Sequence, residues 1–254
     1  MSIQVDIDGF QYIIHQRGNR FTVGSIPCMD VVIEPDYGEF ILHGVKYDET
    51  CSIRQQPMPN AATKLMVKAV VQTLLEIFGH GFKQVNITDN SFFDCASVRS
   101  RVPMANHNVL LYGKTWYQRH FHAKCEDRVK ATYISEYEAR LSKPVTMTFD
   151  DFCRRFGGVR DRLKPCWQAS QTWMELFQRI NRIYGCDYFQ SIQELDLYFG
   201  IIDLKGSEWS IPIKNVQRWK LNNTVTILRP FKKLKKTTHG GYMGTFGPDK
   251  PMLL

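Results

Sequence analysis

Residues 56–124 read QPMPNAATKLMVKAVVQTLLEIFGHGFKQVNITDNSFFDCASVRSRVPMANHNVLLYGKTWYQRHFHAK. Pro57 and Pro59 end whatever precedes them, Asn60 is placed to cap a helix, and Gly79 and Gly81 close it after Phe78. Between these signals Leu65, Met66, Ala69, Val70, Thr73, Leu74, Ile77 and Phe78 recur at three- and four-residue steps. That spacing predicts an amphipathic helix over 60–78 with an apolar stripe wide enough to cover a sheet. Lys64, Lys68, Gln72 and Glu76 fall on another face. Phe82 to Thr88 alternates as a short strand. Asp89 to Asn108, polar and interrupted by Pro103, reads as a long loop. Val109 to Lys124 then resumes as an aromatic-rich helix.

Upstream, residues 3–55 predict antiparallel strands. Apolar residues alternate in Ile3-Val5-Ile7, Tyr12-Ile14, Phe21-Val23, Val31-Ile33 and Phe40-Leu42, and a last strand is expected near 49–55. Turn signals at Asp8-Gly9, Gly18-Asn19, Pro35-Asp36 and Tyr37-Gly38 separate them closely enough for a meander. Downstream, helices are expected over 126–142, 149–156, 166–184 and 189–200. Asp150 and Asp151 suit the positive end of a helix, and Trp167, Trp173, Met174, Phe177, Ile180 and Tyr184 form a core stripe. Trp209-Ile211-Ile213 and Thr224-Thr226 read as two strands of a hairpin around Asn222-Asn223. The fold class is therefore α+β: an N-terminal antiparallel sheet packed on a long helix, then a helical half. Its expected divisions are a core over 1–124, a helical region over 125–208 and a basic segment over 209–254.

The chain has 254 residues and a formal charge of +8. Between Trp209 and Pro248 there is no Asp or Glu, and that window holds Lys214, Arg218, Lys220, Arg229, Lys232, Lys233, Lys235 and Lys236. The other 25 basic residues balance the 25 acidic ones, so the whole excess sits in this window. In LRPFKKLKK, Arg229, Lys232, Lys233, Lys235 and Lys236 interleave with Phe231 and Leu234. Such a segment neutralises phosphates or an acidic protein surface, with Phe231 free to stack on a base. No apolar run is long enough to span a membrane, and the first residues lack the pattern of a leader. Seven cysteines with no close pair predict reduced thiols in an intracellular setting and exclude a local zinc motif. No metal site is expected. Cys95 in the long loop is read as a structural or incidental thiol, and His120 and His122 as helix-end residues facing different ways.

Strands, a Pro-bounded strand end, a long helix, a strand, then a helix carrying WYQRHF: this order resembles the GCN5-related N-acetyltransferase fold across residues 20–124. In that family a splayed strand leads to a helix whose N-terminus binds the acyl-CoA pyrophosphate. The resemblance implies that Gln56, Asn60, Ala61, Ala62 and Thr63 line the cofactor position, and that Tyr117 is the acid toward the leaving thiolate of acetyl-CoA. The counterpart of the family's glycine-bearing pyrophosphate loop is Gln56-Pro57-Met58-Pro59-Asn60. Each proline removes an N–H donor, so the expectation is a degenerate, non-catalytic member that binds an anionic partner and no cofactor. LLYGKTWYQRHFHAK also resembles uncharacterised proteins of large DNA viruses, which implies a virion or assembly component.

Overall fold

The computed structural model describes residues 2–7, 10–24, 28–45, 51, 59–78, 81–95, 100–156, 160–185, 198–200, 202–219 and 223–229. The expected meander is present as β1 (Ser2–Ile7), β2 (Phe10–Arg17), β3 (Arg20–Val23), β4 (Met29–Glu34) and β5 (Glu39–Val45), each antiparallel to the next. Alternation drives it. Ile3, Val5, Tyr12, Ile14, Phe21, Val31, Ile33, Phe40 and Leu42 all turn to the buried face. The strand expected at 49–55 lies outside the described residues, apart from Cys51.

The long helix forms as α1 (Pro59–Phe78), with proline at its first position where the missing N–H is harmless. It is more deeply enclosed than the stripe alone implies: Val67 and Val71 are also fully buried, while Ile77 is exposed. α1 crosses from β5 to β6 (Gln84–Asp89), which lies parallel to β5; every other described pairing is antiparallel. β10 (Ser207–Pro212) pairs with β6 and with the short β9 (Lys124–Cys125), and β11 (Asn223–Arg229) pairs with β1. Among the described residues the main sheet has nine strands, in the order β11-β1-β2-β3-β4-β5-β6-β10-β9. The hairpin expected around Asn222-Asn223 is thus corrected. Its two strands sit near opposite ends of the sheet, because long-range pairing outweighs a local turn signal.

Two further expectations change. Part of the 89–108 loop is a hairpin, β7 (Phe92–Cys95) with β8 (Ser100–Pro103), and α2 (Met104–Tyr112) begins directly after Pro103. The single helix expected over 109–124 is two, because α2 ends at Gly113 and α3 (Trp116–Phe121) restarts behind Thr115. Thr115 and Gln118 complete a reciprocal capping box at that restart. Gly113 has φ +66°, and a Cβ there would lie 2.8 Å from Glu138 Cγ and 3.1 Å from Glu138 Cα. Left-handed strain and that contact with backbone act together, so Gly113→Ala should destabilise the fold by about 2 kcal/mol. Equilibrium denaturation would show it; an unchanged midpoint would mean that the turn relaxes freely.

The helical half comprises α4 (Arg128–Leu141), α5 (Phe149–Phe156), α6 (Arg160–Gln168) and α7 (Trp173–Tyr184), with the short α8 (Ile213–Val216) after β10. The expected 166–184 helix is broken at 169–172, where Thr172 caps α7. Trp173, Phe177 and Ile180 are buried, and Trp173 and Phe177 pack with Phe152 and Phe199. The helix expected at 189–200 lies mostly outside the described residues. No described helix is long and apolar enough to cross a membrane.

The expectation of reduced thiols is overturned in part: Cys125, Cys153 and Cys166 are reduced, but three other cysteines are oxidised. Cys28 and Cys51 form a disulfide with Cα atoms 5.7 Å apart, and Cys95 is disulfide-bonded as well. A sequence separation of 23 hides the first pair, which the meander brings together.

Candidate functional site

The parallel pair is joined only by Phe40, Ile41 and Leu42 against Val85, Asn86 and Ile87. Beyond them the strands follow their outer neighbours instead. Gly44 and Val45 pair with Asp30 and Met29 of β4, while Thr88 and Asp89 pair with Glu208 and Ser207 of β10. His43 is the extra residue of a bulge against β4, which bends β5 away at this point. The pairing of β5 with β6 therefore ends at Leu42 and Ile87, short of the carboxyl end of either strand. Crevices outside strand carboxyl ends are where α/β sheets place ligands.

Asp89 closes β6 and is only 2% exposed. Its carboxylate accepts the Ser91 N–H at 2.9 Å and the Ser91 hydroxyl, and its carbonyl accepts the Gly206 N–H at 2.8 Å. Burial pushes its carboxyl up, against the pull of the Ser91 hydrogen bonds. Tyr117 is buried too, with its phenol pushed far up, first by burial and then by the Asp89 charge. The capping box at Thr115 fixes α3 and so fixes Tyr117.

The other face of α3 is cationic. The Arg119 guanidinium carbon lies over Tyr112, 3.4 Å from its ring centre, and Arg119 donates to Asn108 Oδ1 at 3.3 Å. His120 is drawn down to about 4 by burial and then by Lys64, Arg119 and Lys68, which places two residues of α1 beside α3. Lys68 Nζ is 5.4 Å from the Trp219 ring centre, and Trp219 packs on Phe121 of α3 at 5.5 Å. Burial and Lys64 lower the Lys68 ammonium as well.

Of the residues expected at a cofactor position, Asn60, Ala61 and Ala62 form the first turn of α1 and Thr63 follows half-buried; Gln56 lies outside the described residues. Arg229 ends β11 at the sheet edge, and Phe231, Lys232, Lys233, Lys235 and Lys236 lie outside the described residues. Sequence reasoning placed Lys64 and Lys68 on a plain polar face and did not join them to Arg119. Their i, i+4 spacing was the available signal. Among the described residues no group of three or more His, Cys, Asp or Glu side chains is placed to hold a metal ion. No family model, no curated protein and no solved structure matches this chain.

Proposed function

We propose that the chain is a non-catalytic interaction protein on an N-acetyltransferase-like frame, and that its partner is polyanionic, either nucleic acid or an acidic protein surface. The observation that carries the reading is the enclosure of Tyr117 with Asp89. A thiol leaves with an ordinary pKa of about 8.5, so an acid displaced far above ten gives up its proton only uphill. The position that the resemblance makes catalytic is thus suited to packing. The basic segment with Arg229, Phe231, Lys232, Lys233, Lys235 and Lys236 supplies the charge for the partner.

One observation favours a second reading, an acyl-CoA-dependent N-acetyltransferase: the end of the β5–β6 pairing at Leu42 and Ile87. Oxidised cysteines favour a location outside the reducing cytosol, and a virion component fits that chemistry.

Calorimetric titration with acetyl-CoA separates the first two readings. No heat of binding is expected, and micromolar binding would restore the enzyme. A companion variant carrying Gln at 232, 233, 235 and 236 tests the segment. Its binding to nucleic acid should lose about three from the slope of log K against log salt, at about 0.7–0.9 per phosphate contact. An unchanged slope would remove the segment from the interface.

A further inference from the structure

We propose that Lys64, Lys68 and Arg119, the cations that surround His120, form a phosphate-binding site for single-stranded nucleic acid, with Trp116 as its stacking surface. This rests on the polyanion reading above and names a site apart from the C-terminal basic segment.

The cations there are assembled at a cost. Lys64 and Lys68 are one turn apart on α1, and like charges at that spacing repel. Lys68 is also partly desolvated, with its Nζ over the Trp219 ring. None of Lys64, Lys68, Arg119 and His120 takes part in an ion pair among the described residues; the described pairs are Arg20–Asp30, Lys114–Glu138, Arg140–Glu136 and Arg154–Asp151. An arrangement of this kind is relieved by an external anion.

Arg119 is also pre-organised. The Tyr112 ring covers its guanidinium and Asn108 Oδ1 takes one N–H. Both partners are neutral, so the plane is fixed while the charge is left whole. A guanidinium fork held in this way matches the paired oxygens of a phosphodiester. His120, drawn down to about 4, is neutral near pH 7 and adds a donor without adding repulsion.

Trp116 points to an unpaired strand as the occupant. It stands at the start of α3, half-buried, and is held by edge-on contacts with Tyr117, His120 and Phe121 at 5.3, 5.4 and 5.0 Å between centroids. A fixed, partly exposed indole against His120, the ring that the three cations act on, is suited to unpaired bases: rings stack while cations follow the backbone. A duplex keeps its bases stacked inside and offers only its phosphates.

The test uses the full chain with a fluorescent 20-mer of deoxythymidine, the matching duplex, and heparin as a sulfated polyanion, followed by anisotropy across a salt series. Single-strand binding should quench tryptophan emission. Lys64→Gln with Lys68→Gln should weaken binding about tenfold and lower the salt slope by about 1.4, two contacts at 0.7 each. Arg119→Lys keeps the charge but loses the fork, and it should weaken binding severalfold at an unchanged slope. Thermal melting of each variant confirms that the fold is kept, since none of the three side chains is fully buried. The variant with Gln at 232, 233, 235 and 236 should retain single-strand binding with the quench.

Unaltered affinity and slope in the Lys64/Lys68 variant would overturn the site, and would leave the polyanion reading intact if the C-terminal variant then lost binding. Equal binding of strand, duplex and heparin without quenching would overturn the single-strand assignment. Failure of the wild-type chain to bind any of the three would remove both readings.

Discussion

Replacing Cys28 and Cys51 together by Ala is expected to lower stability by about 3 kcal/mol, the loop-closure entropy for a separation of 23 residues. For a chain of this length that corresponds to a fall in melting temperature of about 10 °C. Both cysteines are buried, at 1% and 4% exposure, so the bond is sheltered once the fold is complete. It joins the residue just before β4 to the connection between β5 and α1. Melting in reductant should cost more than the double substitution, because the bond at Cys95 opens as well. The double variant melting with the wild-type chain would show that the pairing contributes nothing to stability.

The elements that could be read from sequence are those whose information is local. α1 declares itself by a stripe of apolar residues between Pro59 and Gly79, and β1 to β5 by alternation between turn residues. What could not be read depends on partners far along the chain. β11 finds its neighbour in β1, more than two hundred residues away, and β10 is inserted between β6 and β9. Nothing at Asn222-Asn223 distinguishes that outcome from a hairpin. The break at Gly113 was visible as a glycine, but its necessity comes from the close approach of α4 at Glu138. The same holds for the candidate site. Tyr117 was singled out by resemblance, while its enclosure with Asp89 needs β6 and α3 in place. Lys64, Lys68 and Arg119 are unremarkable until the fold turns all three charges toward His120.

His107 is expected to make the chain acid-labile, and the sign follows from where its proton is preferred. It sits partly buried in the seam between α2 and α7, with Nε2 3.3 Å from Asn181 Oδ1. Burial draws it down from 6.5 to about 4, and the hydrogen bond to Asn181 pulls back only in part. Below pH 6.5 the unfolded chain takes up the proton while the folded chain refuses it. The stabilisation is therefore complete above 6.5 and is lost as pH falls through about 4. At pH 4 the loss is about 3 kcal/mol, from 1.36 kcal/mol per unit over the displaced range. His120 works in the same direction, more weakly because it is less enclosed. Asp89 works in the other: burial raises its carboxyl, so acid relieves it. The comparison of His107→Gln with wild type isolates the histidine from both. Urea midpoints at pH 7, 5.5 and 4 should fall steeply for the wild-type chain and distinctly less for the glutamine variant, whatever packing it loses at pH 7. Parallel decline of the two would place the acid lability elsewhere and leave the α2–α7 seam indifferent to protonation.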